Sequence, residues 1–231
     1  MKKAFREKKI FYSEYAYFFS VLFMAMSIAF MKASGLGVSL ASAPALVLYE
    51  KVAEIQPISY GMAEYTMQAL ILVILILATQ KYNKTYAFSF VSTLLFAFVI
   101  DALSNLLELL PLDLLWVRAL LLIPAIILGP LGSALMSHSY ISPIVYEFFE
   151  QELAKRFNFQ PVIAHWVYAV ISGVCAMILS AYFFDSWPFI GVNIGTVLYT
   201  LSNILLYRPA NYFISNHFKF RDKYKELKRH F

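Results

Sequence analysis

Leu103-Ser104-Asn105-Leu106-Leu107, followed by Pro111, returns as Leu201-Ser202-Asn203-Ile204-Leu205, followed by Pro209. Two further pairs keep the same order. Ser42 and Pro44 face Ser142 and Pro143, and Ala63-Glu64-Tyr65 faces Ala164-His165-Trp166, all about 98 to 101 residues apart. Leucine is so common here that chance competes with any single five-residue match, and it is the shared order of three matches that favours an internal duplication. Each unit then reads as span, short helix, span, span. An odd number of crossings per unit brings the second unit into the bilayer from the opposite face. Such an inverted-topology repeat has two similar halves that open to opposite sides, which is a structural basis for alternating access.

The composition agrees with a membrane chain. Of 231 residues 61% are hydrophobic and only 14% charged, far too apolar for a soluble fold of that size. A mean hydropathy of +0.66 likewise excludes disorder. A spanning helix needs about 20 mostly apolar residues, and six blocks reach that length: 13–33, 60–80, 85–107, 116–137, 161–184 and 188–207. The first, preceded by Lys2, Lys3, Arg6, Lys8 and Lys9 and followed by Ala41-Ser42-Ala43, resembles a secretory leader. It is longer than a leader core, Pro44 follows at once and five more blocks come after, so it reads as a span.

The net charge of +5 marks membrane sidedness rather than a nucleic-acid partner, because five of the 19 basic residues lie in the first nine positions and seven from Arg208 onward. With the N-terminus in the cytoplasm, Lys81, Lys84, Lys155, Arg156 and the tail fall on the same side. Only Lys32, Lys51 and Arg118 lie opposite. Segments 34–57 and 138–158 are too short to span: Ser34 to Tyr49 is 16 residues before Glu50, and His138 to Tyr146 is nine before Glu147. They read as re-entrant or interfacial helices. The expected fold is an all-α polytopic membrane protein with six transmembrane helices and two short re-entrant or interfacial helices, arranged as a 3+3 inverted repeat. It forms a single membrane domain over 1–231, with repeat 1 at 13–111, repeat 2 at 116–209 and a basic cytoplasmic tail at 211–231. The tail, with Lys219 to Arg229 alternating with Phe220 and Tyr224, reads as a juxtamembrane helix drawn to anionic lipid.

A half-helix that begins inside the bilayer leaves backbone N–H groups without partners, and its positive dipole end favours an anion or a polar ligand group. Ser34, Gly35, Gly37, Ser39 and Ser42 open the first short segment, where the glycines allow close backbone approach and the serines supply caps and donors. Ser137, His138, Ser139 and Ser142 are their counterparts. An ordinary loop capping an interfacial helix would use the same residue types. Glu64 and Gln68 lie one turn apart on the second span, and Asp101, Asn105 and Glu108 share one face of the third. A carboxylate in the core costs about 2.5 to 3.5 kcal/mol on insertion scales, so Asp101 should face the bundle interior and is the leading candidate for proton or cation coupling. The bland alternative is that it fixes helix packing through Arg118 or a tyrosine hydroxyl. Glu64 and Glu108 lie near enough to the outer interface for solvation to account for them. In the second half His165 is the titratable candidate, with packing as its simpler role. Asn193 and Asn203 read as helix glue, and Gly191 and Gly195 as a small-xxx-small contact.

No catalytic arrangement is legible, and enzyme activity, a metal and a cofactor are not expected. The four histidines at 138, 165, 217 and 230 lack metal-ligand spacing, no G-x-S-x-G elbow or P-loop occurs, and the lone Cys175 offers no disulfide. Gly35-Leu36-Gly37 with Pro44, Ser59-Tyr60-Gly61, Gln80-Lys81, Ile100-Asp101 and Gly195-Thr196-Val197 together resemble the YczE/YitT-type small bacterial membrane proteins, over residues 20 to 205. The resemblance implies a multi-pass protein of the bacterial inner membrane, of a kind often described as a permease without an agreed substrate, and the charge count places both its termini in the cytoplasm. His165-Trp166, where that pattern commonly has an acidic residue, and Asn193, where glycine is usual, are departures in the second half. The expected function is a secondary transporter or permease for a small polar solute. Its partners would be the bilayer and that solute, and a homo-oligomer is compatible with the sequence. The first rival is a non-transporting scaffold or regulatory subunit recruited through the tail, and the second is a membrane-embedded enzyme acting on lipid, whose carboxylate or histidine cluster would close only in three dimensions.

Overall fold

The computed structural model describes residues 8–80, 84–184 and 189–224. Eight helices follow one another among them: α1 (Ser13–Ser34), α2 (Ala43–Ala53), α3 (Tyr60–Thr79), α4 (Lys84–Leu107), α5 (Leu115–Met136), α6 (Val145–Phe157), α7 (Pro161–Phe184) and α8 (Ile194–His217). Five of them, α1, α3, α4, α5 and α7, are long and apolar enough to cross a membrane. This is a multi-pass membrane protein. Its outward faces carry side chains such as Leu77, Phe98 and Ile178, all more than 60% exposed, which water would not tolerate in such number. The sixth expected span is displaced. Its block at 188–207 starts outside the described residues, and α8 begins at Ile194 and continues to His217, taking in Arg208, Asn211 and Asn216, so its apolarity falls off along its length.

Local chemistry sets the helix ends. Gly35 closes α1 in the left-handed region, at φ 61°, with its N–H on the Lys32 carbonyl. Ser59 caps α3 by accepting the Met62 N–H, and α8 opens with the Thr196 hydroxyl accepting the Asn193 N–H at 3.2 Å. Helix α5 runs on through Pro124 and Pro130, where the sequence suggests kinks.

The helix ends sort into two ends of the bundle. At one, Tyr140 Oη donates to Glu14 at the start of α1, His138 meets Asn211 near the end of α8, and Arg156 at the end of α6 donates to Ala78 O at the end of α3. At the other, Arg118 at the start of α5 donates to Ser34 O, Ser59 before α3 donates to Asp101 on α4, and Lys51 on α2 lies over the Phe184 ring of α7. Helices α2 and α6 start deep in the bundle and emerge at opposite ends. The first residues of each, Ala43, Ala45, Val47 and Val145, Tyr146, Phe148, are buried, whereas Glu54 and Arg156 are exposed.

At the centre α1 packs along α5. Around that pair, α1 packs on α4 as α5 does on α8, α2 on α3 as α6 does on α7, and α2 on α7 as α6 does on α3. The extensive α3–α4 packing has no match of similar extent between α7 and α8.

Two expectations are corrected at the ends of the chain. The fold is not purely helical, because β1 (Lys9–Tyr12) and β2 (Phe218–Arg221) pair in parallel, Lys9 opposite Phe218 and Tyr12 opposite Arg221. The 211–231 tail therefore does not begin as a free helix: 211–217 belong to α8 and 218–221 form a strand, while 225–231 lie outside the described residues, as do Lys2, Lys3, Arg6 and Lys81. Alternation explains the strand. Phe218 and Phe220 both place their rings against Phe11, at 5.4 and 5.8 Å between centroids, while Lys219 and Arg221 are exposed between them. The chain just after β2 then closes over α1, where Glu14 accepts the backbone N–H groups of Lys223 and Tyr224. Burial and this carboxylate together raise the pKa of the Tyr140 phenol.

Candidate functional site

Both short helices aim their first residues at the same interior region, and three buried side chains join them there. Tyr60, in the first turn of α3, donates to Glu64 Oε1 at 2.8 Å, and Tyr146, in the first turn of α6, donates to Glu64 Oε2 at 2.8 Å. The hydroxyl of Ser42, the N-cap residue of α2, also bonds the carboxylate. Glu64 is 0% exposed, so the solvated position expected of it is corrected: hydroxyl groups from α3 and from both short helices meet its carboxyl oxygens.

On the far side of Ser42 and Tyr146 lies a cavity of about 70 Å³, bounded by Ser39, Ser42, Phe96, Ser133, Tyr146, Glu147, Glu150, His165 and Tyr199 among others. It has room for a few waters or an equally small solute. Ser133 donates to Glu147 Oε1 at 2.6 Å, and His165 Nδ1 lies 2.9 and 3.0 Å from the two oxygens of Glu150. Two carboxylates one turn apart on α6 thus face an imidazole from α7, with no lysine or arginine among the described residues of the lining. No group of described residues has the makings of a metal site.

A second, open recess of about 320 Å³ lies at the end of the bundle where α3 begins. Lys32 stands in it with Nζ 4.5 Å from the Tyr49 ring centroid and 5.3 Å from that of Tyr60, beside Asp101, Asn105 and Glu108. Asp101 is held rather than free: it accepts from Ser59 Oγ at 2.6 Å and from the Gly61 N–H at 2.7 Å, pinning the first turn of α3 to α4. Its packing partner is a helix N-terminus, not Arg118 or a tyrosine. Asp101→Asn is expected to cost about 1 to 3 kcal/mol of stability, read as a lower melting temperature of the purified protein.

The remaining residues singled out in the sequence divide by position. Ser39 and Ser42 line the cavity and His165 faces it. Gln68 is buried below Glu64 and accepts from Thr93 Oγ1 at 3.0 Å. Ser34, Gly35 and Gly37 form the turn out of α1, well before α2 starts at Ala43, and pack on Arg118, Asn193 and Thr196. Ser137 donates back to Ala134 O, and Ser139 accepts from the Ile141 N–H. His138 stacks on Phe220 at 4.4 Å and bonds Asn211, at the end of the bundle where α1 begins and α8 ends. Gly191 lies in the turn before α8 at φ 83°, so it and Gly195 do not form a helical small-xxx-small face. The sequence reading overlooked Glu147 and Glu150, using Glu147 only to mark where the apolar run of the second short segment ends. Their signal was the i, i+3 spacing, which puts both on one face of a helix.

A family model described only as a family of unknown function, DUF6198, matches residues 11–204. The chain belongs to that family. No curated protein and no solved structure gives a significant match. The matched region takes in Glu64, Glu147, Glu150 and His165, so the cavity and its carboxylates lie within the part of the chain that defines the family.

Proposed function

We propose that the protein is a secondary transporter or permease for a small polar solute, with the cavity between the starts of α2 and α6 as its binding site. One observation carries this: two short helices enter from opposite ends of the bundle and begin at a shared cavity whose largely apolar wall holds two carboxylates and an imidazole. Backbone that starts a helix in the middle of an apolar bundle is costly unless it lines a cavity or meets a ligand. In this reading α8 is the sixth span and the halves α1–α4 and α5–α8 form a 3+3 inverted repeat. The interchangeable packing of the two halves supports it. The α3–α4 contact breaks the symmetry, as two states of an alternating device would.

Coupling falls to Glu147, Glu150 and His165 rather than Asp101, since the former face the cavity and the latter holds a helix end. The acidic lining favours a cation, a proton or a solute rich in donors over an anion. Kinship with YczE/YitT-type proteins, a bacterial inner-membrane location and cytoplasmic termini complete the reading. They rest on the short motifs and on the basic residues that the sequence gathers before the first span and after the last. The scaffold alternative depends on a free basic tail, and the pairing of β2 with β1 argues against one as far as Arg221.

The test is uptake into vesicles containing the purified protein, using a panel of radiolabelled amines, amino acids and neutral amides. At least one should enter faster than into empty vesicles. Glu147→Gln or Glu150→Gln should slow that entry at least about tenfold, the equivalent of one charge-assisted contact of ~1.4 kcal/mol. Entry no faster than into empty vesicles for the whole panel, or variants that transport like the wild type, would sink the reading.

A further inference from the structure

The open recess of about 320 Å³ where α3 begins holds a cation that no carboxylate among the described residues pairs with directly. Lys32 lies in the last turn of α1, where a positive charge complements the helix C-terminus. An ammonium reaching out to water would meet that need. Instead its Nζ is folded over the rings of Tyr49 and Tyr60, which stand edge to face with centroids 5.7 Å apart. Two ring faces hold a cation in place but take the part of no charged acceptor. Tyr60 is itself fixed, at 1% exposed with its hydroxyl on Glu64, so the wall behind Lys32 is rigid.

The carboxylates of Glu108, Glu50 and Asp101 lie within electrostatic reach of Lys32. Asp101 is taken up by the Ser59 hydroxyl and the Gly61 N–H. Glu108, just past the end of α4, is exposed and lines the recess beside Asn105, which is exposed as well. An ammonium that only donates and a carboxylate that only accepts thus share one open space without pairing. A simple anion on Lys32 would stand against Glu108 and Asp101, and a simple cation on Glu108 would stand against Lys32. A molecule that carries both charges and is neutral overall meets each group with its opposite. The volume is that of a small-molecule site, which begins at about 300 Å³. We propose that this recess binds a small zwitterion, with its carboxylate on Lys32, its ammonium on Glu108, and the Asn105 amide beside them to donate and accept. The inference is independent of the transport reading, because the recess is a different space from the cavity and binding there requires no passage.

The test is the melting temperature of the purified full-length protein in detergent, with glycine, β-alanine or 4-aminobutyrate titrated to about 10 mM, ten times the weak end of ordinary substrate affinities. At least one of these, which differ in the spacing of their charges, should raise it. Lys32→Gln and Glu108→Gln should each weaken that response at least about tenfold in apparent Kd, as the loss of one charge-assisted contact does. Glu108 is exposed, so its variant keeps the fold even if Lys32→Gln does not. No rise with any of the three overturns the proposal. Acetate or methylammonium raising the melting temperature as far as the best zwitterion, at equal ionic strength, overturns the two-ended recognition. A rise that either variant retains in full also overturns the assignment, and its loss in Glu147→Gln would place the binding in the cavity instead.

Discussion

Glu64→Ala should lower the melting temperature of the purified protein by roughly 10 °C or more, from the loss of acceptors for two buried phenols at about 1 to 3 kcal/mol each and the cavity left behind. Tyr60 and Tyr146 both donate to this carboxylate, and they belong to different halves of the chain. Each is almost fully buried, at 1% and 6% exposed, so neither can turn to water. The alanine variant therefore strands two hydroxyls at once and unties the starts of α2 and α6 from α3. Glu64→Gln keeps the shape and one acceptor oxygen, and its amide can donate to the second phenol, so it should recover about half of the loss. A Glu64→Ala protein that melts with the wild type would show that the carboxylate is not the tie between the short helices.

Much of the framework could be read from residues alone, because helix length and apolarity are local properties. The blocks at 13–33, 60–80, 85–107, 116–137 and 161–184 match α1, α3, α4, α5 and α7 closely. The two short segments were likewise visible, as stretches too brief to span that end in charge. What escaped depends on which side chains meet in space. Asp101 attracted attention as a carboxylate in an apolar helix, yet its partners are the Ser59 hydroxyl and the Gly61 N–H, some 40 residues earlier. Glu64 looked solvated for lack of any sign that Tyr146, 82 residues later, would reach it. Ser34, Gly35 and Gly37 suggested a helix start, but they serve the turn that leaves α1, because Ser39 and Ser42 stand next to the residue where α2 begins. Glu147 and Glu150 were passed over because charge at the end of a short apolar run ordinarily means solvent. The strand pairing of Lys9–Tyr12 with Phe218–Arg221 joins the two ends of the chain, and no local pattern can announce a partner so distant.

The other large effect expected is at Gly61, where a side chain has no room to go. A Cβ there would fall 2.3 Å from the Ala97 carbonyl oxygen and 2.6 Å from Asp101 Cγ, so the first turn of α3 meets α4 backbone to backbone. Backbone cannot swing aside as a side chain can, and Gly61→Val must push α3 off α4 and break the hydrogen bond from Gly61 N–H to Asp101. The expected result is protein that fails to accumulate in folded, monodisperse form on gel filtration in detergent. Gly173 supplies the control. Its Cβ would also approach within 2.6 Å of a neighbour, but that neighbour is Leu40 Cδ2, the end of a flexible side chain that can rotate away. Gly173→Ala should then purify normally, and its alanine should offset some of the repacking cost through better helix propensity, by up to about 1 kcal/mol. Equal behaviour of Gly61→Val and Gly61→Ala with Gly173→Ala would mean that α3 and α4 are not packed as closely as their shared backbone contact requires, and the hold of Asp101 on α3 would fall with it.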